Sequence, residues 1–271
     1  MSSLFSRTFV HAAAITFGLL GACAHPAPPA RPAHPTAAVE PTATKNRIAL
    51  IGDFDPIADR LRTDPVADAA EAIGRRDFAA ARAILEPLVA RVPAGWTPES
   101  RSGTRIEIAA WRMADVIARA VRASAEARIE QIAWVGPSYA RAYGLLAYMA
   151  VEERDFARAA VWLDAGIALE PYPDLLSERG TVAIQLHDPA TALGLFERAS
   201  GLDGADPAQQ ARAWRGKGEA LIALERLDDA EQAFRRSLEL EADDELATNE
   251  LRYIRGVREG TITPSDSQIM R

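Results

Sequence analysis

The sequence predicts an all-α protein, a solenoid of stacked helical hairpins. Three observations predict it. A phrase returns about every 34 residues: Ala159, Ala192 and Ala230 each precede a bulky residue, Leu163, Phe196 and Phe234, and a small one follows, Gly166, Ala199 or Ser237. From Pro65 onward, Ala and larger apolar residues recur at spacings that place them on one face of a helix. Polar turns and prolines cut this pattern into pieces of single-helix length.

The first element is a leader. Met1–Thr8 is polar with one cation, Arg7, and Phe9–Leu20 is an apolar run too short to span a bilayer as a stable helix. Small residues then precede a cysteine, in Leu20-Gly21-Ala22-Cys23. A charged start, an apolar middle and small residues before a cut are the layout of a signal peptide over residues 1–22. The Leu-Gly-Ala-Cys stretch resembles the lipobox of bacterial lipoproteins. That resemblance implies lipidation of Cys23 and retention at the outer membrane, since Ala24 rather than Asp follows the cysteine. An ordinary secretory signal is the alternative. Cys23 is the single cysteine of the chain, so no intramolecular disulfide supports the fold.

Residues 23–44 follow as a tether. AHPAPPARPAHPTAAVEPTAT is rich in Pro and Ala, lacks large apolar residues, and predicts extended, partly polyproline chain. His25 and His34 lie there among prolines and read as solvated residues rather than metal ligands. Removing Arg7 with the leader leaves 30 of the 31 Lys/Arg against 38 Asp/Glu, a net charge of −8. That balance argues against nucleic acid and against electrostatic binding to anionic lipid.

Residues 45–61 predict a short extended segment. Within it, RIALIGDFDPI resembles a buried strand ending in an active-site turn, with Asp53 and Asp55 as paired carboxylates. No Gly-rich helix start follows, and no further strand is read downstream. The favoured reading docks Ile48, Leu50 and Phe54 on the first hairpin, leaving a ligand-binding or enzymatic role of Asp53/Asp55 as an alternative.

Residues 62–258 predict the solenoid. The clearest unit is 140–172: Tyr143 and Ala147 lie on one helix, the polar Glu152-Glu153-Arg154-Asp155 forms a turn, Ala159, Leu163 and Gly166 lie on a second helix, and Pro171 ends it. Small residues at Ala147 and Ala159 let the two helices approach closely. Unit 173–210 repeats this with Leu176, Gly180, Ala192, Phe196 and Ala199, and unit 211–244 with Trp214, Gly218, Ala230, Phe234 and Ser237. Upstream, unit 62–95 offers Ala69, Ala81, Leu85, Leu88 and Pro93. The same register over 106–139 gives Ala109, Met113, Ala125, Ile129, Ile132 and Pro137, but no breaker divides it. It predicts a degenerate hairpin, with one long helix over 104–134 as the alternative. Residues 245–258 predict a capping helix carrying Leu246, Leu251, Tyr253 and Ile254, and 259–271 a frayed, disordered tail.

These units closely resemble the tetratricopeptide repeat. That family places an aromatic or Leu and then a small residue on its first helix, an Ala, a bulky residue and a small one on its second, and often a Pro after it. The resemblance implies a right-handed α-solenoid of about five units plus the cap. It further implies a protein or peptide partner in the concave groove, no catalysis and no cofactor or metal. Inward positions carried over residue by residue are Arg141, Gly144, Tyr148, Val151 and Glu152; then Asp174, Ser177, Thr181, Ile184 and Gln185; then Arg212, Arg215, Glu219, Ile222 and Ala223; with Asn249 and Tyr253 on the cap. The candidate binding set is Arg141, Tyr148, Glu152, Arg212, Arg215, Glu219, Asn249 and Tyr253. Arg212 and Arg215, on one helix face, suit an acidic or extended peptide. The set lacks the Lys and Asn pattern of the chaperone-binding carboxylate clamp.

His187 is the sole histidine outside the leader and tether. Beside Asp188 it suggests a base and its orienter, but no nucleophile is near in sequence and a turn position explains it. The sequence contains none of the metal-binding, phosphate-loop or nucleophile-elbow motifs. It therefore predicts an interaction adaptor, lipid-anchored in the bacterial envelope and facing the periplasm, in pilus, secretion or envelope assembly. A self-associating structural repeat protein is the rival.

Overall fold

The computed structural model describes residues 49–50 and 64–262. Residues 64–261 belong to one unit that contains every helix of the described residues. Helices α1 (Pro65–Gly74) and α2 (Phe78–Val89) form the first hairpin. Helices α4 (Tyr139–Glu152) and α5 (Phe156–Leu169), α6 (Pro173–Gln185) and α7 (Pro189–Ser200), and α8 (Pro207–Ala223) and α9 (Leu227–Leu240) form three more. Helix α10 (Glu245–Arg258) packs on α9 and closes the stack. This is the all-α solenoid that the sequence predicts.

The four turns inside the hairpins share one backbone. Arg76, Arg154, His187 and Glu225 all adopt the left-handed conformation, with φ of 60°, 61°, 59° and 60°. The next amide in each bonds back into the preceding helix: Asp77 to Ala72 O at 2.9 Å, Asp155 to Ala150 O at 2.8 Å, Asp188 to Ala183 O at 2.9 Å and Arg226 to Leu221 O at 2.8 Å. This is the Schellman closure, which satisfies carbonyls left over at a helix end. In three turns the same residue then caps the second helix: Asp77, Asp155 and Asp188 each accept an amide at 3.0 Å, from Ala80, Arg158 and Thr191. One polar residue thus ends one helix and starts the next.

Residues 106–139 do not form a hairpin, and the 104–134 stretch is not one helix. Strands β2 (Glu99–Ser102) and β3 (Arg105–Ile108) form an antiparallel ribbon around Gly103, whose φ is +59°. Helix α3 (Met113–Glu126) then leads to β4 (Gln131–Trp134), which pairs parallel with β3. On the far side of β4 lies β1 (Ala49–Leu50), also parallel, so the sheet runs β1-β4-β3-β2. Ile106 and Ile108, both fully buried, pack on Val116, Ala120 and Ala123 of α3 and on Ile129. Alternation in Arg-Ile-Glu-Ile, with both isoleucines on one face, wins over the 34-residue register here.

The strands also correct the reading of the segment before the repeats. Ala49 and Leu50 are extended and pair with Gln131 and Ile132, and further strands do follow. Ile48, Phe54, Asp53 and Asp55 lie outside the described residues, as do Cys23, the tether and the tail beyond Ile262.

The solenoid runs past this insert. Val66, Ala69, Leu85 and Val89 of the first hairpin share a core with Ala142, Leu146 and Met149 of α4. Four hairpins and the cap therefore stack among the described residues, with 96–138 as a small α/β insert between the first and second hairpins. Close packing follows from size complementarity. Would-be Cβ atoms on Gly180 and Gly218 would stand 2.7 and 2.6 Å from Cζ of Phe196 and Phe234, so each ring lies flat on bare backbone of its partner helix.

Candidate functional site

The inner face is built by α4, α6, α8 and α10, and side chains join one helix to the next. Gln209 donates from Nε2 to Asp174 at 2.8 Å. Arg212 pairs with Glu178 at 2.5 Å and with Asp174 at 3.8 Å. Arg215 pairs with Asp244, which caps α10 and accepts amides of Leu246 at 3.0 Å and Ala247 at 3.1 Å. The two arginines expected to grip an acidic ligand thus serve first as rungs between repeats. Glu178 and Asp174 hold the Arg212 guanidinium protonated against the opposing pull of burial. Burial pushes the Asp174 carboxyl above its ordinary range, with Gln209 and Arg212 acting against it.

The remaining candidates divide into two groups. Glu152 accepts from Arg76 of the first turn at 2.9 Å. Burial, then the neighbouring Glu152, raises the Tyr148 phenol above its ordinary value. Arg141 is half-buried, and its desolvation outweighs the nearby Asp64 and Tyr172. At the other end Asn249 accepts from Arg252 at 2.8 Å on the exposed face of α10. Tyr253 leans on the core formed by Leu221, Phe234 and Ile254, and Glu219 lies close enough to support the charge on Arg212. His187 is an exposed turn residue.

Sequence reasoning missed the residues that fill the first half of this face. Trp111, just beyond β3, stacks on Tyr172 with ring centroids 4.4 Å apart and planes 22° apart. Its edge lies over Gly144, an inward position of α4, where a Cβ would meet Trp111 Cη2 at 3.3 Å and Leu175 Cδ2 at 3.0 Å. Arg112 donates to Asp206, the α8 cap, at 2.8 Å and to Asp115 at 3.0 Å. Tyr172 donates its hydroxyl to Asp115 at 2.9 Å, and Arg119 pairs with Glu170. Burial and then Asp115 drive the Tyr172 phenol well above its ordinary value. Burial pushes the Glu170 carboxyl up despite Arg119. Two polar atoms at this junction, Trp111 Nε1 and Glu170 Oε2, are buried without a hydrogen-bond partner.

A second concavity, of about 530 Å³, lies between α7, α8 and α9 around Trp214. Its cations are engaged: Lys217 with Glu197 at 3.1 Å, Arg226 with Asp229 at 2.6 Å and Arg235 with Glu231 at 2.5 Å. Among the described residues, no group of His, Cys, Asp and Glu could hold a metal ion, and no helix is long and apolar enough to cross a membrane.

Residues 177–245 match the model of the tetratricopeptide repeat family. This stretch carries tetratricopeptide repeats. The match covers α7, α8 and α9 with most of α6, the helices whose small and bulky positions interlock most closely. No curated protein matches the chain. Among solved structures, the first such domain of Spaghetti (RPAP3), bound to an HSP90 peptide, is 26% identical, covering 46% of this chain and 97% of that one with a TM-score of 0.42. The N-terminal domain of stress-induced protein-1 from C. elegans is 27% identical over 43% of this chain and 94% of its own, with a TM-score of 0.39. The MamA RS-1 ArsTM double mutant is 15% identical over 77% and 87%, with a TM-score of 0.48. Tetratricopeptide repeats are in general non-catalytic modules of protein–protein interaction.

Proposed function

We propose that this chain is a binding adaptor that holds an extended segment of another protein against the inner face of its repeats, within the bacterial envelope. The observation that carries it is the set of partly exposed polar and aromatic side chains Tyr148, Arg212, Glu219 and Tyr253 on helices bridged by Gln209–Asp174, Arg212–Glu178 and Arg215–Asp244. Rigid elements presenting aromatic and charged side chains lower the ordering cost of capturing a flexible peptide.

A photocrosslinking residue placed at Tyr253 or Glu219 should trap a partner protein in intact cells. The same residue at Val161, 64% exposed on α5, should not. Equal labelling from both positions rejects the groove.

The envelope half of this reading rests on the leader and Cys23. A lipid on Cys23 would supply attachment without a spanning helix, and the Pro-rich tether would hold the repeats away from the bilayer. Cys23→Ser should move the protein from the membrane fraction to the soluble one. Unchanged sedimentation with membranes sinks the anchor. Assembly of a pilus, secretion machine or envelope complex is the setting this arrangement suits.

A further inference from the structure

We propose that Trp111–Arg112 is a built-in occupant of the first half of the groove, and that the partner replacing it is an extended segment presenting an aromatic ring beside a cationic side chain. The proposal rests on the adaptor reading above and names the chemistry of its ligand.

The insert has its own core, formed by Ile106, Ile108, Val116, Ala120, Ala123 and Ile129. It meets the repeats through rings and polar bonds: Trp111 stacks on Tyr172 and packs beside Ala140, Leu163 and Leu175, Trp96 meets Tyr139 edge-on, Arg112 bonds Asp206, Asp115 bonds Tyr172, and Arg119 pairs with Glu170. Trp111 and Arg112 lie just before α3, and Arg112, its N-cap, has an extended backbone with φ −132° and ψ 154°.

The receiving surface is specific to such a segment. Gly144 leaves a flat floor with room for a ring, and Tyr172 supplies a stacking wall. Around that wall stand three carboxylates of the repeats, Glu170, Asp174 and Asp206. Withdrawal of the insert removes Arg112 and Arg119 from Asp206 and Glu170 and leaves an acidic rim about an aromatic slot. An aromatic residue next to Arg or Lys complements it on both counts.

The internal occupant is also an imperfect ligand. Trp111 Nε1 and Glu170 Oε2 are both buried with no partner, and each such atom weakens the closed state. A partner that donates to the second Glu170 oxygen makes a bond that the insert leaves unmade. Displacement is therefore an exchange of similar contacts with one bond gained.

The test uses the full chain and a labelled peptide of its own residues 109–116, AAWRMADV. Wild type should bind it weakly, and the Trp111→Ala, Arg112→Ala double variant at least tenfold more tightly. Adding Tyr172→Ala should abolish the gain. Arg119→Ala, which unpins the insert without touching its core, should raise affinity at least threefold and covers the case in which the double variant misfolds. Equal binding by wild type and variants of unchanged helicity overturns the proposal, as does equal affinity for AAAEMADV. Peptide binding without a crosslinked partner in cells sinks the adaptor reading alone. A trapped partner with no peptide binding sinks this inference alone.

Discussion

A Cβ on Gly216 would stand 2.2 Å from Cε1 of Phe196, which already presses its opposite side on Gly180. One ring is thus held between the first helix of its own repeat and that of the next. Phe196 has no room to retreat, so Gly216→Ala should destabilise by about 2–3 kcal/mol through overpacking. Gly194, on the exposed side of α7, has nothing within 4 Å of its would-be Cβ. There the same substitution should stabilise by about 0.5–1 kcal/mol through helix propensity. Urea denaturation of the two variants checks both signs, and equal effects would contradict the packing argument.

His187 is strained rather than chemical. Its φ of 59° suits glycine, and its side chain is exposed. His187→Gly should raise stability by about 0.5 kcal/mol, the relief of the left-handed backbone exceeding the added entropy of the unfolded chain. Partner capture should not change. Loss of capture would return His187 to the candidate site.

Asp244 ties the last hairpin to the cap. It accepts two α10 amides, pairs with Arg215 and is 7% exposed. Asp244→Ala should cost about 3–5 kcal/mol, because it strands a half-buried guanidinium and uncaps a helix. Asp244→Asn keeps an acceptor for the amides and should cost less. Hydrogen exchange over 245–258 should accelerate in the order wild type, Asn, Ala.

Glu170 gives stability a pH dependence of definite sign. Burial raises its carboxyl above the ordinary value, with Arg119 opposing, so the folded state holds the proton more tightly than the unfolded chain. Its contribution is fully present below the ordinary glutamate range and is lost as pH rises through the raised value. Glu170→Gln cannot titrate. The melting temperature of the variant relative to wild type should therefore be higher at pH 7 than at pH 4. A constant difference would show that Glu170 titrates alike in both states.

The solenoid was legible because its pattern is local and repeated: Ala192 with Phe196 and Ala230 with Phe234 are packing pairs that periodicity alone can find. The insert was not, for two reasons. Its strands are four residues long, too short for alternation to stand out, and Met113, Ala125 and Ile129 chanced to satisfy the repeat register. The inner positions were legible as places but not as states. Nothing near Arg215 in sequence announces Asp244, and nothing near Gly144 announces Trp111, since both contacts cross from one unit to another. The Asp that follows the left-handed residue at Arg76, Arg154 and His187 marks three of the four hairpin turns, but Arg226 stands there in the fourth, so its absence from a stretch does not exclude a hairpin.

The insert should respond to damage separately from the repeats, and this is the most direct check on the boundary drawn at residues 96–138. Ile106 is fully buried in β3 and contributes to a cluster that includes no residue of the repeat helices. Ile106→Ala should remove about 2–4 kcal/mol from that cluster through lost contacts and an unfilled cavity. Amides of 105–108 and 131–134 should then exchange faster, and Trp111 fluorescence should shift toward that of exposed indole as its support loosens. Amides of α6 to α9 should keep their protection, because their cores, centred on Phe196 and Phe234, share no residue with it. If the whole chain instead lost protection together, the insert would be an integral layer of the solenoid, and the groove could not open by releasing it.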